Sequence, residues 1–273
     1  MCCTSKLNAR LKNNTLDSVN RDTYANAKVV DCYGQLDFIH KPEKVILDRL
    51  KPFIQNKRLL DIGFGGGRTT RFLLEISKDY TGVDYTAASV KAAKLKYPSA
   101  DLRCADARNL SQFEDESFDF VLFSFNGIDY MNHEDRLIAL REMHRVLKPS
   151  AHLAFSTHNR DYRHFNKLPW EQGVEINLNF LKSCLYTLAY LLRHRRMHRL
   201  EIHGDSYDII NDNAHEFSLL TYYIGIDQQK KQLSTGGFEA IDAFDMEGRV
   251  VEREIDFPWT YYLARKSSDQ SNW

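Results

Sequence analysis

The residues best suited to chemistry stand together in Asp61-Ile62-Gly63-Phe64-Gly65-Gly66-Gly67-Arg68, directly after the apolar pair Leu59-Leu60. A glycine turn between a strand and a helix brings bare backbone N–H groups against a ligand where the helix begins. A second acid, Asp84, ends the next strand-like run, Tyr80-Thr81-Gly82-Val83. A carboxylate at such a strand end accepts two neighbouring hydroxyls at once through charge-assisted bonds. Strand, glycine turn, helix, strand, acid is the order of a nucleoside-binding α/β unit. The glycines fall at 63, 65 and 67, and Arg68 stands where a dinucleotide turn carries its last glycine for close helix packing.

The elements that must hold these residues follow from the apolar pattern. Val45, Ile46 and Leu50 predict a helix ending at Pro52, and Arg58–Ile62 the first strand. A helix is expected from Arg68 to Ile76, with Phe72, Leu73 and Ile76 inward, and another from Thr86 to Lys96, stopped before Pro98. Asp101–Cys104 reads as a short third strand. Ser117–Phe125 is a continuous apolar run, as in a strand buried on both faces. Leu137, Leu140, Met143 and Leu147 mark the next helix, and Ala151–Thr157 the fifth strand. After residue 215 a helix over Ile226–Leu233 and strands at Phe238–Phe244 and Thr260–Ala264 resume the alternation. The polar connection between those two strands fits a hairpin, so the last strand is expected to be antiparallel.

Composition narrows the class. Lys+Arg and Asp+Glu both number 37, so no net field steers the chain to nucleic acid or an anionic membrane. The five cysteines, Cys2, Cys3, Cys32, Cys104 and Cys184, have neither disulfide nor metal spacing, which fits a reducing cytoplasm. No metal site is expected.

Five segments in order resemble the class I S-adenosylmethionine-dependent methyltransferases. They are Asp61–Gly67, Gly82-Val83-Asp84-Tyr85, Cys104-Ala105-Asp106-Ala107, Ser117-Phe118-Asp119-Phe120-Val121 and Arg145-Val146-Leu147-Lys148-Pro149. The resemblance implies an α/β fold: a seven-stranded, mostly parallel Rossmann-like sheet with helices on both faces and a last antiparallel strand. It implies S-adenosylmethionine as cofactor, with Asp84 on the ribose and Gly63 and Gly65 against the aminoacyl part. Asp61 would hold the ammonium and Asp106 the adenine amino group, with Tyr85, Ala107 and Ser124 lining the same site. Arg68 would pair with the cofactor carboxylate or stand solvated at a helix start, and Tyr33 would close over the methionine end.

A methyl acceptor adds its own demands. Orientation alone supplies about 7–11 kcal/mol in such a displacement, and a base adds about 10²–10⁴-fold for a hydroxyl acceptor. His158, after the fifth strand, and His215, where an insertion rejoins the core, are the candidate bases. Asn126, Asp129 and Tyr130 follow the fourth strand and would orient the acceptor. Ser124-Phe125-Asn126-Gly127 lacks the Asn-Pro-Pro-aromatic motif of amino-directed DNA methylation.

The expected organisation is an N-terminal helical cap over 1–56, a cofactor-binding core over 57–158 and a helical lid insertion over 159–215. The core then resumes over 216–266, and a tail follows at 267–273. The lid holds Leu178, Leu181, Leu185, Leu188 and Leu192, then a basic run over Arg193–Arg199. The expected function is methylation of a hydroxyl or amine on a small-molecule acceptor by a monomer or dimer, without nucleic acid or membrane contact. The alternatives are a protein-modifying methyltransferase and a non-catalytic adenosylmethionine-binding protein.

Overall fold

The computed structural model describes Asn20, Thr23 and residues 34–166, 192–212, 217–253 and 256–268. Its helices are α1 (Lys41–Ile54), α2 (Thr70–Ile76), α3 (Ala87–Lys96), α4 (His133–Val146) and α5 (Ile226–Thr235). Strands β1 (Leu59–Ile62), β2 (Tyr80–Asp84), β3 (Asp101–Cys104), β4 (Phe118–Phe123) and β5 (Leu147–Asn159) build the first half of the sheet. Strands β6 (Ile202–His203), β7 (Tyr207–Ile210) and β8 (Thr221–Ile224) follow, then β9 (Phe238–Phe244), β10 (Val250–Val251) and β11 (Trp259–Lys266).

The sheet runs β10-β9-β11-β5-β4-β1-β2-β3. The neighbours from β3 to β5 are parallel, and β11 is antiparallel to both β5 and β9, as the hairpin pattern predicts. Strand order reverses between β1 and β4, which opens a crevice at their carboxyl ends. Asp61 pairs in register with Gly82 on one side and Leu122 on the other, so the ends of three strands meet there.

The central strands are buried on both faces. Leu60, Ile62, Val121, Phe123, Leu153 and Phe155 enter one core, while Leu59, Phe120, Leu122 and Ala154 enter the other. Each such side chain contributes about 1.5–3 kcal/mol of transfer free energy, so the strands form a stiff platform. Helix α1 continues through Pro52 to Ile54 rather than ending at the proline. Pro52 lies in the last turn, where its ring forfeits a single hydrogen bond.

The insertion is not purely helical. Strands β6, β7 and β8 form a meander, and β8 joins the sheet parallel to β5 through His158↔Tyr223 and Asn159↔Ile224. The extra layer therefore runs to Ile224, past the expected boundary at 215. Its own apolar cluster joins Met197, Ile209, Leu220, Tyr222 and Ile224. The basic run is itself helical over 192–197 and continues as a 3-10 turn over His198–Leu200. The leucines expected at 178–188 lie outside the described residues. No described helix is long and apolar enough to cross a membrane.

Candidate active site

A crevice opens at the carboxyl ends of the central strands. Asp61, Gly63, Gly65, Arg68, Asp84, Tyr85, Asp106, Ala107 and Ser124 all line it, and so does Tyr130. Nine residues from four separate segments thus converge on one crevice. Asn20 joins them from the N-terminal segment: its amide bonds the carbonyls of Tyr130 and Leu220 and accepts from the Leu220 amide. Tyr33 and His215 lie outside the described residues.

The glycine turn has the backbone that only glycine adopts freely. Gly63, Gly65 and Gly67 have φ of 65°, 56° and 82°. A Cβ on Gly63 would stand 2.8 Å from the Phe123 ring, whereas one on Gly65 would meet only the Gly63 carbonyl, at 4.0 Å. The space beside Gly65 is thus open to the cavity. The Gly65 N–H donates to Asp84 Oδ2 at 3.0 Å, which ties the turn to the end of β2. Asp84 Oδ1 accepts the Thr86 N–H at 2.9 Å and its hydroxyl at 2.8 Å. Burial raises the Asp84 pKa, and these donors offset part of that cost.

Asp61 is 1% exposed and accepts on Oδ2 from the Thr69 hydroxyl at 2.7 Å and the Tyr80 hydroxyl at 3.0 Å. Desolvation pushes its carboxyl up to about 7. A cation at this place would hold it ionised. On the far side, Asp106 accepts from the Arg108 guanidinium at 2.6 and 2.9 Å.

Arg68 is not a solvated helix-start residue. It is buried, and its fork donates to both oxygens of Glu43 at 2.6 and 2.7 Å, to Ser124 Oγ at 3.2 Å and to the Phe38 carbonyl at 3.1 Å. The Ser124 hydroxyl also bonds Glu43, and the guanidinium lies 4.8 Å over the Phe125 ring. Arg68 and the His40 amide hold Glu43 below the usual carboxylate range against its burial. Arg68 is thereby largely neutralised, and α1 is bolted to the glycine turn. Glu43 was not picked out in the sequence, where it reads as a first-turn capping acid.

Asp129 differs from its expected role on the acceptor. It is fully buried, and four donors saturate its carboxylate. Arg136 at 2.5 Å and the Thr157 hydroxyl at 2.6 Å reach Oδ1; the backbone N–H and Nδ1 of His158, both at 2.7 Å, reach Oδ2. Asp129 therefore orients His158 and has no lone pair left for a substrate. Asn126 Nδ2 stands 3.5 Å from His158 Nε2. The His158 ring meets Tyr130 edge-on at 6.2 Å; Tyr130 lines the crevice, whereas Asn126, Asp129 and His158 do not. Nothing in the local sequence marks Arg136 or Thr157 as partners. Among the described residues, no group of three or more His, Cys, Asp or Glu is arranged to hold a metal.

A strand-order reversal, a glycine turn and an acid at the end of β2 define a class I nucleoside-cofactor α/β domain. A family model described as a methyltransferase domain matches residues 60–155. An uncharacterized methyltransferase of Schizosaccharomyces pombe is 32% identical over 131 residues, covering 48% of this chain and 47% of that one. A ubiquinone biosynthesis O-methyltransferase of Idiomarina loihiensis is 27% identical over 172 residues, covering 59% and 68%. The matches thus span from about half to about two thirds of the length of these two relatives. Among solved structures, the 1,6-didemethyltoxoflavin-N1-methyltransferase of Burkholderia thailandensis, with bound 1,6-didemethyltoxoflavin and S-adenosylhomocysteine, shares the fold. Its TM-score is 0.52 at 13% identity, over 96% of this chain and 90% of that one. Residues 60–155 thus match a methyltransferase domain, and the chain is similar in sequence to S-adenosylmethionine-dependent methyltransferases and shares their fold.

Proposed function

We propose that this chain moves a methyl group from S-adenosylmethionine to a hydroxyl or amine of a small-molecule acceptor, within the crevice between β1 and β4. The observation that carries this reading is the joining of Gly65 to Asp84 at the open edge of that crevice. The residues present fit the cofactor: an acid at the end of β2 for the ribose hydroxyls, a Cβ-free backbone at Gly65 and a buried acid at Asp61 for the ammonium. Tyr85, Asp106 and Ala107 would frame the adenine.

S-adenosylmethionine supplies an electrophilic methyl on a cationic sulfur. The chain's share is to hold the acceptor in line, exclude water and take a proton. His158 would take it at Nε2, because Asp129 accepts from Nδ1 and thereby fixes the Nδ1–H tautomer. Tyr130, which lines the cavity, and Asn126 both adjoin the His158 ring and would steer the acceptor. Small-molecule acceptors are supported by the Idiomarina relative, a ubiquinone biosynthesis O-methyltransferase, and by the Burkholderia fold neighbour, an N1-methyltransferase.

The test is incubation of the purified chain with methyl-labelled S-adenosylmethionine and a deproteinised small-molecule extract. A labelled low-mass product, absent with Asp84→Ala, is expected. Label appearing only in protein added to the reaction would overturn the small-molecule reading.

A further inference from the structure

The guanidinium of Arg136 is fully buried, and all five of its N–H groups have acceptors. Nε donates to Gln232 at 3.3 Å; one terminal nitrogen donates to the Ile128 carbonyl at 3.3 Å and to Asp129 at 2.5 Å. The other donates to Gln229 at 2.7 Å and to the Thr157 hydroxyl at 3.2 Å. The face of the guanidinium lies 4.4 Å from the centre of the Tyr222 ring on β8. One side chain from α4 thus meets α5, the insertion meander, β5 and the turn that carries Asp129.

This arrangement has a directional consequence. Thr157 accepts from Arg136 and donates to Asp129, so Oδ1 takes two donors, one of them the charged guanidinium. An ionised Asp129 with Oδ2 on His158 Nδ1 forces the proton onto Nδ1 and leaves Nε2 with its lone pair. Asn126 completes the line: its Nδ2 faces Nε2, while its Oδ1 is buried without a partner. A rotation of that amide would give a protonated Nε2 an acceptor.

We propose that Arg136 is a positioning residue, which through Asp129 sets the tautomer of His158, with the Asn126 amide placed against Nε2. This rests on His158 being the base of the proposed reaction. Among the described residues, the titratable groups facing the imidazole are Asp129 and Tyr130 from the turn after β4 and Tyr223 from β8, whose hydroxyl is held by Asp212. Arg136 is the charge behind Asp129.

The experiment is ring-nitrogen NMR of the full chain labelled in histidine, with His158→Gln identifying the resonance. Wild type is expected to show Nδ1 protonated and Nε2 bare at alkaline pH. In Arg136→Lys, which keeps the charge and loses the fork, a mixture of the two tautomers is expected. Binding of S-adenosylhomocysteine should stay within about twofold. Thr157→Val gives the same readout if Arg136→Lys does not fold. An unchanged Nδ1–H tautomer in a folded variant would overturn the inference. Unchanged labelled-methyl transfer by His158→Gln would instead remove the base from the proposed reaction and leave the tautomer result standing.

Discussion

The carboxylate of Asp129 receives both the backbone N–H and Nδ1 of His158, each at 2.7 Å. A histidine gripped twice by one buried acid is held in place and in tautomer. Its Nε2 then carries the ring's remaining lone pair.

His158→Ala and Asp129→Asn should therefore lower transfer to a hydroxyl acceptor by about 10²–10⁴-fold, with cofactor affinity unchanged. An amine acceptor that is already neutral should lose far less. Steady-state rates with both acceptor types check this; equal rates for wild type and His158→Ala on a hydroxyl acceptor would remove the base.

Glu43→Gln leaves the Arg68 charge buried without its counter-ion. A loss of about 3–5 kcal/mol is expected in urea unfolding at neutral pH. The folded Glu43 pKa lies below its ordinary 4.5, so its contribution is present above that pH and fades as pH falls below it. The gap between wild type and Glu43→Gln should narrow below about pH 4.5.

Asp61 has the opposite sign. Its folded pKa, about 7, exceeds the ordinary 3.8, so its contribution is present below 3.8 and is lost as pH rises through 7. Asp61→Asn should flatten that part of the stability profile. An ammonium held at Asp61 would also make S-adenosylmethionine bind more tightly from pH 6 to 8, with proton release below 7. Calorimetry in buffers of different ionisation enthalpy reads this, and a pH-independent affinity would contradict the assignment.

The two glycines separate fold from ligand. Gly63→Ala drives a Cβ into the Phe123 ring at 2.8 Å as well as straining φ, so it should unfold at clearly lower denaturant. Gly65→Ala meets no such wall and should cost only the left-handed strain, about 1–2 kcal/mol, while weakening cofactor binding. Equal effects of both on stability would show that the Gly65 side is not open.

The residues that line the crevice were legible in the sequence because they are local: β1 and β2 are short apolar runs, each ending beside its own acid and glycines. Glu43 was not, since its partner Arg68 lies 25 residues away and its own surroundings read as a helix cap. The Asp129 network is harder still, with contacts 7, 28 and 29 residues distant that only the sheet brings together. The insertion meander escaped for another reason. Strands of two and four residues are too short for alternation to separate them from a helical turn.

The most direct measurement is calorimetric titration of S-adenosylhomocysteine into wild type and Asp84→Ala, with folding checked by thermal unfolding. Asp84 closes the glycine turn and faces the cavity at once. Wild type should bind a single equivalent, and folded Asp84→Ala should show no measurable heat. Equal affinity in the two proteins would contradict the assignment of the crevice as the cofactor site.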